Sequence, residues 1–330
     1  MNSPIETWLE PLPHGITLSC RAVGERGRPV VMFLHGFPEA AFVWDDLMRS
    51  VAAQGYRCIA PNLRGFEASS APPDVADYRP RHLVQDIRAL VAATLPSGAS
   101  SLACLVAHDW GGAVAWNLAN QHPALMQRLA IFNSPHPGTF LRELQRNPAQ
   151  QQASAYMNFL VRPDAEALLA ANDFARLWPF LRNNSQGRSG DPAWLTEAVK
   201  DQYRAVWSGA LARPALSGVG AGLRGGCNYY RASPLRPPSA SDAAAASVSL
   251  PHEMLTVRVP TLVVWGLGDI ALQPGLIEGL DAFVPQLTLH KVADASHWIV
   301  HEQPARVAAY LCDFLRQPPP SPDLTRAQLP

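Results

Sequence analysis

The side chain best placed for chemistry is Asp109, within the stretch LACLVAHDWGG from Leu102 to Gly112. The apolar run Leu102 to Ala107 suits a strand buried on both faces, and a helical pattern opens at Gly111–Gly112 and runs to about Gln121. Between them, the small residues Ala107, Gly111 and Gly112 crowd one polar residue at a sharp turn. Such a turn lifts the carboxylate above the sheet at a helix N-terminus, where unpaired N–H groups and the helix dipole suit a negative charge. A carboxylate needs no general base to act as a nucleophile. On an electrophilic carbon it would form a covalent ester. Aspartate is also a favoured helix N-cap, and this stretch taken alone fits either reading.

Two further stretches supply what hydrolysis of such an ester requires. The strand PTLVVW, Pro260 to Trp265, runs into Gly266–Leu267–Gly268–Asp269 and puts Asp269 just past a strand end. A later strand, Leu287 to Val292, is followed by ADASHW, which supplies His297. Nucleophile, then acid, then histidine is the chain order of the α/β-hydrolases, whose elbow usually carries serine where Asp109 stands here. Asp294 is a rival acid, only three residues before the histidine, and His301 stands at the start of the last helix. The loop His35–Gly36–Phe37–Pro38 follows the strand PVVMFL and fits an oxyanion hole, with backbone N–H groups supplied by Phe37 and Trp110.

The motifs HGFPE, HDWGG, WGLGD and SHW, with AYMNF and NYYR farther along, resemble those of an epoxide hydrolase of the α/β-hydrolase superfamily, in its aspartate-nucleophile branch. The resemblance covers roughly residues 10 to 316. It implies two lid tyrosines that donate to the epoxide oxygen. NYYR gives Tyr230 and AYMNF gives Tyr156, with Tyr203 or Tyr229 as substitutes. His35, Pro38 and Trp298 are expected to line the substrate pocket. The implied ligands are a small apolar epoxide and water, with no cofactor and no metal. HDWGG is shared with haloalkane dehalogenases, which hold a halide through N–H donors. Trp110 could do so, but Phe37 stands where those enzymes commonly carry Asn, and Ala113 and Trp116 stand where haloacetate dehalogenases carry arginines. A catalytically silent binder of a small apolar ligand is the third reading. Two departures from the family pattern are Glu67 in RGFEASS, in place of a small residue at the site's rim, and a long glycine-rich run before NYYR.

The elements that must position these groups alternate. Two short strands flank Pro13–His14–Gly15, and further strands are expected at Pro29–Leu34, Tyr56–Ala60 and Arg128–Phe132. Helices are expected over Phe42–Ala53 and over Arg81–Thr94, where Leu83, Ile87, Leu90 and Val91 share a face. The last helix carries Val307, Tyr310, Leu311, Phe314 and Leu315 at the same spacing. This alternation implies a mostly parallel, doubly wound sheet. The rhythm breaks at Asn133–Ser134–Pro135, and a helical, proline-interrupted segment follows. The expected organisation is an α/β core over residues 1–137 and 251–316, a helical cap over 138–250 lying above the elbow as a lid, and a disordered tail over 317–330. The glycine-rich stretch Ser217 to Gly226 reads as a flexible connection.

Composition narrows the classes further. The chain has 330 residues, zero formal charge and 16% charged residues, which implies no basic face for nucleic acid or anionic lipid. Five scattered cysteines without C-x-x-C spacing point to neither a disulfide framework nor a metal cluster. With no signal peptide visible in MNSPIETWLEPLPHG and no membrane-length apolar run, a cytoplasmic location is expected. Oligomeric state is not legible.

Overall fold

The computed structural model describes residues 4–183, 190–210 and 222–318. Its strands are β1 (Glu6–Pro11), β2 (Thr17–Val23), β3 (Val30–Leu34), β4 (Arg57–Pro61), β5 (Cys104–His108), β6 (Leu129–Phe132), β7 (Thr261–Gly266) and β8 (Leu287–Val292). They form one eight-stranded sheet in the order β1-β2-β4-β3-β5-β6-β7-β8. The pairs β1·β2 and β2·β4 are antiparallel and all others are parallel. This is the doubly wound α/β-hydrolase fold.

Helices cover both faces, which is why every residue of β3 to β7 is buried and nearly all are apolar. Side chains alternate across each strand, and the two faces feed different packing layers. Val31 and Phe33 of β3 and Val106 of β5 pack with α1 (Asp45–Ala52) and the last helix. Met32, Leu34, Leu105 and Ala107 pack with α2 (Pro80–Thr94) and α3 (Asp109–Gln121). The expected stripe of α2 is buried, joined by Val84. The expected helix at Phe42 starts instead as a 3-10 turn, Ala41–Trp44, before α1 begins at Asp45. The strand expected from Leu102 starts at Cys104, and Leu102 makes only an isolated bridge to Met126.

Between β6 and β7 lie α4 (Pro137–Arg146), α5 (Pro148–Ala153), α6 (Tyr156–Leu160), α7 (Ala165–Phe174), α8 (Trp178–Leu181), α9 (Glu197–Trp207) and α10 (Leu223–Ala232). The short α11 (Ile299–Glu302) and α12 (Pro304–Arg316) close the chain's described part. In α12, Val307, Leu311, Phe314 and Leu315 are buried, while Tyr310 is half-buried and stacks on His290 at 4.1 Å. Truncating Leu311 to alanine would cost about 2–5 kcal/mol, because the sheet behind it closes the cavity only in part.

The glycine-rich stretch departs from expectation. Its first part, 217–221, and the tail beyond residue 318 lie outside the described residues. Gly225 and Gly226 sit inside α10, not in a flexible connection. A Cβ on Gly225 would stand 2.3 Å from the Gly65 carbonyl oxygen, and one on Gly226 would stand 2.3 Å from the Phe37 ring. Their missing side chains let α10 press onto the core loops, which brings the NYYR residues down toward the elbow. Among the described residues no helix is long and apolar enough to cross a membrane.

Candidate active site

Asp109 is the first residue of α3, directly after β5, and its φ is +48°. Few non-glycine residues accept that conformation, and here it turns the side chain up from the sheet end. The turn closes only because its neighbours lack side chains. A Cβ on Gly111 would fall 2.3 Å from the Leu34 carbonyl oxygen, and one on Gly36 would fall 2.3 Å from Asp109 Oδ1. The Phe37 N–H donates to Asp109 Oδ1 at 2.8 Å, and Ser134 Oγ–H donates to the Asp109 carbonyl at 2.6 Å. Trp110 follows in the first turn of α3.

His297 lies after β8, with Nε2 3.8 Å from Asp109 Oδ2 and Nδ1 2.7 Å from Asp269 Oδ2. Asp269, just past β7, is buried. Burial resists its charge, but His297, the Leu272 N–H and the Asn133 amide together hold it below the usual carboxylate range. Burial likewise works against a charge on His297. The Asp269 carboxylate, with Asp109 behind it, outweighs that and raises the ring's pKa to about 9. Asp294 points elsewhere: it is exposed and paired with Arg306 at 2.6 Å.

Tyr156, at the start of α6, and Tyr230, in α10, share the walls of both cavities that border Asp109. Their ring centroids are 6.1 Å apart, and Tyr230 packs edge-on against Trp110 and Phe37. Burial pushes both phenols above their ordinary range, and the nearby Asp109 carboxylate adds to the effect. The other two tyrosines face away. Tyr229 donates to the Arg64 carbonyl at 2.9 Å, and Tyr203 donates to Glu39 Oε1 at 3.1 Å. Arg231 of NYYR pairs with Glu166, which ties α10 to α7.

Pro38 and Trp298 line one of these cavities together with His297, but His35 does not. The His35 ring is fully buried beneath the loop, donating from Nδ1 to the Gly36 carbonyl at 2.9 Å and accepting the Leu63 N–H at Nε2. Burial pulls its pKa down to about 4, in keeping with a neutral ring that braces the loop from below. Glu67 is also absent from these cavities, because its carboxylate turns back to Ser19 and Asn62. Trp116 is buried with its indole N–H on the Ser134 carbonyl.

The sequence reading missed two contributors. Asn133, with φ +35°, donates to Asp269 Oδ2 at 2.8 Å and accepts the Gly266 N–H, so it fixes the acid against β7. Its only signal was the break in rhythm after β6. Glu39 is the second, a buried carboxylate contacted by His108, His301 and Tyr203. HGFPE contains it, yet nothing in the sequence says which way it points. Among the described residues no cluster of three or more His, Cys, Asp or Glu side chains could hold a metal ion.

The α/β hydrolase fold family model matches residues 29–304. The chain is 32% identical to the AB hydrolase superfamily protein YfhM of Bacillus subtilis over 304 residues, covering 92% of this chain and 96% of that one. It is also 32% identical to an epoxide hydrolase of Caballeronia sordidicola over 321 residues, covering 92% of each. The crystal structure of Bacillus megaterium epoxide hydrolase in complex with an inhibitor superposes with a TM-score of 0.79 at 26% identity, covering 94% of this chain and all of that one. With its parallel sheet, its elbow and these likenesses along nearly its whole length, the chain belongs to the α/β-hydrolase superfamily and is similar to that superfamily's epoxide hydrolases.

Proposed function

We propose that the protein hydrolyses epoxides to vicinal diols through an ester on Asp109. The observation that carries this reading is the pairing of a free carboxylate oxygen with two buried phenols across one cavity. Asp109 Oδ1 is engaged by the Phe37 N–H, which leaves Oδ2 to attack a ring carbon. As the new O–C bond forms, the C–O bond of the epoxide breaks, and the developing alkoxide takes a proton from Tyr156 or Tyr230. His297, oriented by Asp269 and neutral once its resting proton has passed to the phenolate, then removes a proton from water, and the water oxygen attacks the ester carbonyl. The oxyanion stays on Oδ1, held by the N–H groups of Phe37 and Trp110. Its collapse releases the diol, restores the carboxylate and leaves His297 protonated, as it began. Helices α4 to α10 act as a lid that supplies the phenols. No step calls for a cofactor.

Two comparisons support the reading: the epoxide hydrolase of Caballeronia sordidicola in sequence and that of Bacillus megaterium in structure. Against the haloalkane dehalogenase alternative, Phe37 stands where those enzymes commonly carry Asn and offers no side-chain N–H to a halide, while its backbone N–H is engaged by Asp109 Oδ1 at 2.8 Å. The decisive experiment is a single turnover in ¹⁸O-water with a panel of epoxides and haloalkanes. The expected result is an unlabelled diol and label in the Asp109 carboxyl, with Asp109→Ala inactive by at least about 10⁴-fold. Halide release without diol would establish the dehalogenase. No turnover and no label across the panel would leave the silent binder.

A further inference from the structure

The loop that carries the Phe37 N–H is gripped by the helices above it. Residues 36 to 39 close a turn in which the Glu39 N–H donates to the Gly36 carbonyl at 3.1 Å, and the Phe37 N–H of that turn donates to Asp109 Oδ1. The Pro38 carbonyl of the same turn is taken by α9, whose buried Trp207 donates its indole N–H at 2.6 Å. Tyr203 of α9 stacks on Trp207 at 5.2 Å and donates to the Glu39 carboxylate. The indole is fixed from within the lid as well, by Phe174 at 5.3 Å and Trp178 at 4.7 Å. Trp207 lines neither cavity that borders Asp109, so its route to the site is the loop.

An N–H on Oδ1 affects the two chemical steps in opposite senses. When Oδ2 attacks the epoxide, negative charge leaves the carboxylate, so a donor on Oδ1 stabilises the reactant more than the transition state. When water attacks the ester, negative charge builds on Oδ1, and the same donor stabilises the transition state. A residue that holds the Phe37 N–H in place therefore serves ester hydrolysis and gives nothing to ester formation.

Resting on the epoxide hydrolase reading, we propose that Trp207 is a positioning residue for the second step: its indole N–H, through the Pro38 carbonyl, ties the oxyanion-hole turn to the lid. The lid then contributes to both halves of the reaction, with Tyr156 and Tyr230 in ring opening and α9 in ester hydrolysis.

Trp207→Phe removes the donor and leaves the Pro38 carbonyl buried without it. Trp178→Phe is the control, because it removes an indole N–H donated at 2.7 Å to the Asp173 carbonyl, a bond made inside the lid. Single turnovers of styrene oxide, stopped by rapid quench, give epoxide loss, diol appearance and, by intact-protein mass spectrometry, the ester on Asp109. In Trp207→Phe epoxide loss is expected within about twofold of native, while diol appearance slows about tenfold and ester accumulates between them. In Trp178→Phe the ratio of the two rates is expected to stay within about twofold of native. If Trp207→Phe does not fold, Trp207→3-benzothienylalanine keeps the ring's shape without the N–H and is expected to give the same split. Equal slowing of both steps, slowing of epoxide loss alone, no change in either, or the same split in the Trp178 control overturns the proposal and leaves the epoxide hydrolase reading standing. A native protein that forms neither diol nor ester overturns that reading and the proposal with it.

Discussion

Two buried carboxylate–histidine pairs lie side by side beneath the cavities, and only one faces them. Asp269 holds His297 from below, and the far nitrogen of that ring looks toward Asp109 across 3.8 Å. Glu39 holds His108, whose ring centroid lies 4.6 Å from that of His297. The second ring has an oxygen acceptor at each nitrogen: Glu39 Oε2 at 3.0 Å and the His297 carbonyl at 2.9 Å. Neither nitrogen is left to take a proton from water. Burial works against the charge on Glu39, but donation from His108 and His301 holds its carboxyl well below the usual range. Similar residue types in similar burial thus reach different ends. What separates them is whether the ring's second nitrogen meets the cavity or a carbonyl.

Breaking each pair in turn should give opposite signatures. His297→Gln is expected to form the ester and then stall, so that mass spectrometry finds a stoichiometric adduct on Asp109 while steady turnover falls by about 10³-fold or more. A variant that turns over without trapping an adduct would remove His297 from the second step. Asp269→Asn should slow hydrolysis of the ester by roughly 10³–10⁴-fold, because the ring loses its orientation and its preferred tautomer. Glu39→Gln should act elsewhere. Its effect on turnover is expected to be on the order of tenfold, transmitted through the backbone of His297, while urea unfolding reports a loss of about 3 kcal/mol from the broken buried network. Equal catalytic damage from Asp269→Asn and Glu39→Gln would erase the distinction drawn between the pairs.

The smallest effect is one of pH, and its sign follows from the charges around His297. In the resting protein Asp269 and Asp109 raise the ring's pKa to about 9 against burial, which favours the protonated ring at neutral pH. Once Asp109 is esterified, one of those two negative charges is gone, and the ring releases its proton at a lower pH. When ester hydrolysis limits the rate, kcat should fall about tenfold per pH unit on the acid side, with a midpoint lower than the ring's titration in the free protein by NMR. A flat kcat between about pH 5 and 8 would argue against His297 as the base.

Local pattern made much of the frame legible. Apolar runs between turn residues marked β3, β5, β6 and β7, and the spacing of Leu83, Ile87, Leu90 and Val91 marked α2, because burial on a regular element repeats with that element's period. The place of Asp109 at a strand–helix turn is also local, since a few consecutive residues impose it. Asn133 was not legible as the partner of Asp269, because 136 residues separate the two donors and acceptors in sequence and only the β6·β7 register brings them together. The glycine-rich approach to NYYR misled for a related reason. Composition alone cannot distinguish a glycine needed for freedom from one needed for closeness, and Gly225 and Gly226 serve closeness.

By itself, then, the sequence determined the order of strands and helices, the turn that lifts Asp109, and the strand ends from which Asp269 and His297 depart. All of these depend on backbone preferences and periodicities within a few residues of each other. Only the tertiary structure decided that Tyr156 and Tyr230 line the same cavities as the Asp109 carboxylate while Tyr203 and Tyr229 turn to Glu39 and Arg64, that His35 braces its loop from below, and that one carboxylate–histidine pair meets the cavity while its neighbour does not. Those choices rest on which side of a helix or loop is pressed against which neighbour, and packing between distant segments sets that.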